Sequence, residues 1–154
     1  MKQEDKDLLL KDLCARLPYG VMISHRGLVR PLFNVSPTQH FQITLDNAID
    51  GEHNGLVYVS LDNVADDVKP YLRPMSSMTE EERAELEHLS EGYFGKALDK
   101  QIQESLSSSN RNESEILEYI ASSAIVDWLN AHHFDYRGLI EKGLALEAPE
   151  GMYD

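Results

Sequence analysis

Apolar residues recur at every second position between Val21 and Leu61, and this period most restricts how the chain can fold. Successive side chains of a β-strand point to opposite faces, so a period of two predicts strands with one buried face. The runs are Val21–His25, Leu28–Val35, Phe41–Leu45 and Val57–Leu61. Their short connections predict an antiparallel four-strand meander, which an SH3-like small barrel would accommodate.

Turn residues punctuate these runs, and one proline interrupts them. Arg26-Gly27, Asp50-Gly51 and Asn54-Gly55 are typical of turns and loops. Pro31 lies inside the second run. Because proline has no N–H to donate, its position predicts an edge strand or a bulge there.

A helical period precedes the strands. Leu10, Leu13 and Leu17 recur at the spacing of one helix face and predict a helix over 5–17. Pro18 and Gly20 would end it. Cys14 stands among these leucines, and we expect it to be a small core residue.

The segment after the strands changes character at Thr79. One helical turn is expected around 68–72, because Pro70 and Pro74 exclude a longer helix. Thr79 with Glu82 matches a capping box, which predicts an acidic helix over 79–90 that ends before Gly92. Its apolar stripe is thin, so we expect either a peripheral helix or a surface for a partner.

Further helices are expected in the last third. A weak helix over 96–109 ends in a polar run at 107–110, and Asn112 with Glu115 resembles a second capping box. The apolar stripe over 117–129, centred on Trp128, predicts the main core helix. After it, Asp135 is a candidate cap for a short helix that Gly143 ends.

These elements predict an α+β fold with an N-terminal helix, a β-meander and a helical C-terminal half. At 154 residues the chain fits one domain over 1–154. Within it, 1–75 would form the helix and meander, and 76–154 the acidic helical part. One cysteine excludes an intrachain disulfide, and neither a signal peptide nor a membrane span is predicted, so we expect a cytoplasmic protein.

The negative charge is concentrated in the second half of the chain. The net charge is −13; residues 1–78 carry 8 Lys/Arg and 10 Asp/Glu, and residues 79–154 carry 6 and 17. An acidic surface repels phosphate backbones, which disfavours direct binding to nucleic acid. It suits a basic protein partner.

The sequence contains no complete motif for metal binding, phosphate binding or catalysis. His132, His133 and Asp135 form the most metal-like cluster, but adjacent histidines on a helix point apart and no zinc spacing accompanies them. A polar helix end is the alternative interpretation. The sequence contains no P-loop, GxGxxG or GxSxG motif, so we predict no cofactor and favour a non-enzyme.

Three segments resemble proteins of one family. They are DLLLKDLCARLPYGV (7–21), VKPYLRPMSSMTEEE (68–82) and HHFDYRGLIEKGLALEAPEGMY (132–153). Their sequences are similar to those of an uncharacterised family of short proteins from gut Bacteroides-type bacteria and their mobile elements. The resemblance implies a bacterial, cytoplasmic origin, and no activity or site residue carries over with it.

Three functions follow from these features. The first is a non-enzymatic protein-interaction module, with Glu81 and Glu85 on the acidic helix and Tyr136 and Arg137 after the core helix as contacts. The second is an acidic mimic of nucleic acid that inhibits a DNA- or RNA-binding protein; it requires the acids of 80–91 to form one ridge. The third is a small metal-dependent hydrolase built on His132, His133 and Asp135.

Overall fold

The chain divides into two compact units. The computed structural model describes residues 2–36, 42–49, 52–60, 68–96 and 123–153. The sheet unit comprises Met1–Met75 together with Asn130–Asp154, and the middle unit comprises Ser76–Leu129. The first segment of the sheet unit ends at Met75. Residues 130–154, expected in the acidic helical part, belong instead to the sheet unit.

The sheet unit is built on one mixed six-stranded sheet. Its strands are β1 (Met22–His25), β2 (Leu28–Ser36), β3 (Gln42–Ile49), β4 (Glu52–Ser60), β5 (Val68–Leu72) and β6 (Leu146–Glu147). They are ordered β4-β3-β2-β1-β5-β6. The β5–β6 pair is parallel and the other pairs are antiparallel. With the helices, this sheet makes the fold α+β.

Helices lie before and after the first five strands. The helix α1 spans Gln3–Arg16 and continues as a 3-10 turn over Leu17–Tyr19. Gly20 ends it with φ +70°, a conformation that suits glycine because it has no Cβ. In the middle unit α2 spans Glu80–Lys96, and residues 123–129 are also helical. No helix among the described residues is long and apolar enough to cross a membrane.

The core of the sheet unit lies between α1 and one face of the sheet, here called the inner face. Leu9 and Leu13 of α1 pack with strand residues that alternate along the chain as the period of two predicts, except in β2, where the register shift separates Leu32 from Val35 by three positions. The strand members are Ile23, Leu32, Val35, Ile43, Leu45, Val59, Val68 and Leu72. Leu139, Leu144 and Ala145 complete this cluster from the far end of the chain.

One expectation about prolines is wrong, and of the two alternatives for Pro31 the structure shows a register shift beside it rather than an edge strand. Residues 68–72 form β5 rather than a helical turn, with Val68, Pro70 and Leu72 buried and the residues between them partly exposed. Strand β2 lies between β1 and β3 and is therefore no edge. The ladder between β2 and β3 shifts between Leu32 and Asn34, just after Pro31.

Three predictions about the helices and the core are wrong, and one is confirmed. Cys14 is exposed rather than in the core, and α2 continues through Gly92 to Lys96. The chain after residue 131 forms turns and the short strand β6 in place of the expected helix. Trp128 is buried, as predicted.

Several predictions lie outside the described residues. They are the weak helix over 96–109, the break at 107–110, the capping box of Asn112 with Glu115, and the strand residues Phe41 and Leu61.

Candidate functional site

The face of α1 that meets the core carries two charged residues. Its buried residues are Leu9, Asp12, Leu13 and Arg16, at the i, i+3, i+4, i+7 spacing of one helix face. Asp12 and Arg16 are 0% exposed. Neither residue is predicted to be buried by the spacing of the leucines; the Asp-x-x-x-Arg spacing, which places two opposite charges together, is the sequence signal for this pair.

These two residues belong to a group of internal polar contacts, here called the Asp12 network. Arg16 Nε donates to Asp12 Oδ2 at 2.8 Å, and Arg137 Nη1 donates to Asp12 Oδ1 at 2.7 Å. Arg16 Nη2 donates to the Phe134 carbonyl oxygen at 2.7 Å. Each carboxylate oxygen of Asp12 thus holds a guanidinium, and one of those guanidiniums also ties α1 to the C-terminal segment.

Tyr136 packs against both arginines. Its ring centroid lies 4.4 Å from the Arg137 guanidinium carbon and 5.7 Å from that of Arg16. Its hydroxyl donates to Asn130 Oδ1 at 3.1 Å. The side chain of Arg137 is 14% exposed. The structure therefore places Tyr136 and Arg137, chosen from the sequence as surface contacts, inside this network.

The C-terminal segment occupies the place where β1 and β5 stop pairing. Their ladder ends at Ile23 and Pro70. Beyond it, Tyr153 Oη accepts from the Met22 N–H at 3.0 Å and donates to the Tyr71 carbonyl oxygen at 2.8 Å. A phenol thus joins two strands that no longer bond to each other directly.

Arg73, just past β5, joins the same segment through its backbone. Its N–H donates to the His133 carbonyl oxygen at 2.8 Å, and its carbonyl oxygen accepts from the Asp135 N–H at 2.8 Å. These bonds flank Phe134, which forms a parallel bridge with Arg73 and is fully buried. The Arg73 guanidinium carbon lies 4.3 Å from the centroid of the Phe134 ring.

His133 is buried with an unusual backbone conformation. Its φ is +59°, and its ring stacks on Tyr153 with centroids 3.7 Å apart. Burial disfavours the imidazolium and, with the nearby charge of Arg16, lowers the pKa of His133 to about 4. Burial likewise raises the pKa of Tyr153 to about 12. Both rings are therefore neutral at neutral pH.

The residues chosen as metal ligands do not converge. Both carboxylate oxygens of Asp135 accept backbone N–H groups, from Leu139 at 2.8 Å and from Ile140 at 2.9 Å. His133 lies against Tyr153, and the neighbouring His132 is only partly buried. In the part of the chain that the structure describes, no group of three His, Cys, Asp or Glu residues could hold a metal ion.

The helix α2 presents its charges to solvent. Its capping box is formed: Thr79 N–H donates to Glu82 Oε2 at 2.9 Å, and Glu82 N–H donates to Thr79 Oγ1 at 3.2 Å. From residue 80 to residue 89 no residue is buried, and Glu81 and Glu85 are exposed.

The acids of α2 do not form one line. At about 100° per residue, the glutamates of its first three turns spread over more than half of the helix circumference. They are Glu80, Glu81, Glu82, Glu85 and Glu87. This distribution does not favour the single ridge that a mimic of nucleic acid requires.

The sheet also exposes aromatic side chains on its outer face, the one away from the inner face. Tyr58 of β4 is opposite Thr44 of β3, which is opposite Asn34 of β2. Because of the register shift, Phe33 and Asn34 together oppose Thr44. Phe33 is 60% and Tyr58 64% exposed. Tyr58 and Leu56, alternating with buried or partly buried valines, were the signal for this face in the sequence.

Comparisons with known proteins leave the chain without an assigned relative. No family model matches it, and no curated protein and no solved structure matches it either. The resemblance to an uncharacterised bacterial family therefore stays a prediction.

Proposed function

We propose that the chain is a non-enzymatic protein-interaction module that binds a basic partner through α2. The observation that carries this proposal is the exposure of the helix: over residues 80–89 no side chain is buried. Helices in proteins gain most of their stability from packing an apolar face. A helix that packs so little of its surface has that surface available for a partner.

The charge of α2 supports a basic partner. Residues 80–89 contain five glutamates and one arginine, Arg83. The capping box stabilises the first turn of α2. Glu81 and Glu85 lie one helical turn apart, so their side chains are neighbours on the same face of the helix. Complementary charge of this kind accelerates association and makes it dependent on salt.

The Asp12 network supports a structural role for the sheet unit in this proposal. The Asp12 carboxylate accepts hydrogen bonds from two guanidiniums, and the Asp135 carboxylate accepts them from two backbone N–H groups. The meander of β1–β4 would be the scaffold, and the middle unit would carry the binding helix α2. The expected setting is the bacterial cytoplasm that the family resemblance implies.

A matched pair of charge reversals tests the proposal. The tagged wild-type chain and the variant Glu81→Lys/Glu85→Lys are exposed to bacterial cytosol, and captured proteins are quantified by mass spectrometry at low and high salt. We expect a basic protein that the wild type captures at least about tenfold more than the variant, with capture reduced by salt.

The control reverses two exposed acids on α1, Glu4→Lys/Asp7→Lys, which changes the net charge by the same amount. It should retain the partner. Equal capture by both variants, or no captured protein that depends on Glu81 and Glu85, would contradict the proposal. Release of nucleic acid from a captured protein would instead favour the mimic.

A further inference from the structure

Residues 146–153 lie along the edge of the sheet unit and are here called the strap. Their strand β6 pairs in parallel with β5, and beyond it the Ala148 N–H donates to the Leu72 carbonyl oxygen at 2.8 Å. Every residue of the strap is exposed or partly exposed. A segment that buries so little can open at a much smaller cost in free energy than unfolding of the whole unit.

Tyr153 anchors the far end of the strap to two neighbouring strands. Its hydroxyl accepts from the Met22 N–H and donates to the Tyr71 carbonyl oxygen. Its ring stacks on His133, with centroids 3.7 Å apart and planes 19° from parallel. Tyr153 therefore covers one face of the imidazole, and water reaches that face only when the tyrosine moves away.

The position of His133 suits a neutral ring and not an imidazolium. The residue is 4% exposed, and its Nδ1 is buried without a hydrogen-bond partner among the described residues. The hydrogen bond of the ring to the Tyr19 backbone therefore uses the other nitrogen, Nε2. A second proton would create a buried N–H with no acceptor there, which costs the desolvation of that group.

The charged groups around the buried imidazole also oppose a second proton. Arg16 on α1, Arg73 after β5 and the neighbouring His132 each disfavour a positive charge on it. Two carboxylates of the unit are already bound, since Asp12 accepts from two guanidiniums and Asp135 accepts from two backbone N–H groups. Both are engaged elsewhere, and an imidazolium would lie next to cations.

We propose that protonation of His133 opens the strap and exposes the backbone groups of β1 and β5 that it covers. The imidazolium gains its hydration once Tyr153 has moved away from it. The opened edge presents the N–H and C=O groups that bond to Tyr153 and β6 in the closed form, and such groups can pair with another extended chain. The proposal does not depend on the partner of α2.

The direction of the effect follows from proton linkage. Burial, with the charge of Arg16, lowers the pKa of His133 to about 4 in the closed form, against 6.5 for an unperturbed histidine. The open form therefore binds the proton first as the pH falls below 6.5, and opening becomes about tenfold more favourable for each pH unit. Below pH 4 the closed form binds the proton as well, and the effect reaches its limit.

Amide hydrogen exchange of the full chain, corrected for the intrinsic effect of pH, tests the opening. The N–H groups of Met22 and Ala148 should lose about 50–100-fold of their protection between pH 7.5 and pH 4.5. At each pH they should be less protected than the amides of the ladder between β2 and β3. Low urea concentrations should not change their protection, because local opening exposes little surface.

Two histidine variants identify the group that binds the proton. His133→Asn removes the titrating ring, and asparagine tolerates the positive φ of this position, so the fall in protection should disappear. His132→Asn is the matched control and should keep the fall. The proposal is overturned by wild-type protection that does not depend on pH, or by an equal urea dependence of Met22, Ala148 and the β2–β3 ladder. It is also overturned if the fall persists in His133→Asn or disappears in His132→Asn.

Discussion

The helices α1 and α2 are both rich in charged residues, but α1 buries two of them, whereas those of α2 over residues 80–89 are at least partly exposed. α1 buries Asp12 and Arg16 completely, whereas α2 buries no residue between 80 and 89. Both begin with acids in the first turn, where the helix dipole favours them. The two helices differ in their contacts: in α1, Asp12 accepts from Arg137 and Arg16 donates to the Phe134 carbonyl oxygen, and both partners lie near the other end of the chain.

This difference shows that the number of charges in a helix does not determine which of its faces is buried. A buried charge is tolerated only when partners satisfy it, since desolvation of each ion costs several kcal/mol. In α1 the two ions pair with each other, and their further partners are residues more than a hundred positions away. No count of charges within the helix contains that information.

The largest expected effect follows from removing the anion of the Asp12 network. Asp12→Ala leaves Arg16 buried beside a cavity with no carboxylate, and it also releases Arg137. We expect the free energy of unfolding to fall by about 3–5 kcal/mol, the usual result of breaking a buried ion pair on one side. Urea unfolding followed by circular dichroism measures it.

Glu85→Ala on α2 is the matched control for this comparison. Glu85 is an exposed acid on a helix, and its removal should change the unfolding free energy by less than about 0.5 kcal/mol. If Asp12→Ala and Glu85→Ala destabilise the protein equally, the contrast between the two helices is wrong.

A smaller effect on the unfolding free energy is expected as the pH falls, because His133 then becomes protonated. Its pKa is about 4 in the folded protein against 6.5 for an unperturbed histidine, so the unfolded chain binds the proton first. Between pH 6.5 and pH 4 this residue should therefore lower the unfolding free energy by about 3 kcal/mol in total. Well above pH 6.5 its contribution is constant, because the ring is then neutral in both states.

Other groups titrate in the same range, so His133 must be isolated by difference. His133→Asn removes the titrating ring, and asparagine tolerates the positive φ of this position. The unfolding free energy of the wild type should fall more steeply between pH 6.5 and pH 4 than that of the variant. Parallel pH profiles would show that His133 is not held neutral by burial.

The smallest expected effect concerns the cap of α2. Thr79→Ala removes the hydroxyl that accepts the Glu82 N–H, and we expect a loss of about 1 kcal/mol in helix stability. Faster hydrogen exchange of the Glu82 amide would report it directly. Glu82→Ala, which removes the reciprocal bond to the Thr79 N–H, should have a similar effect. Neither should approach the effect of Asp12→Ala.

Local patterns predicted local features well. The period of two located β1 to β4 along the chain, and Thr79 with Glu82 predicted a capping box that the structure confirms. Pro18 and Gly20 were predicted to end the first helix, which closes in a 3-10 turn at Tyr19. Each of these features depends on residues within a few positions of one another.

Features that depend on distant partners were missed. Residues 68–72 were predicted to form one helical turn, because nothing nearby in the sequence shows that β1 and β6 pair with them. Arg137 read as a surface contact because Asp12, its partner, is 125 residues away. The acidic surface of α2 was foreseen, since exposure requires no partner at all.

The bond between Arg16 and the Phe134 carbonyl joins residues 118 positions apart, and this separation has a consequence for synthesis. A ribosome adds about 5–20 residues per second, so α1 leaves the exit tunnel on the order of ten seconds before its acceptor is made. During that interval Asp12 and Arg16 keep their hydration, because the segment that later covers them does not yet exist. The first helix of this chain is therefore among the last elements to reach its final environment.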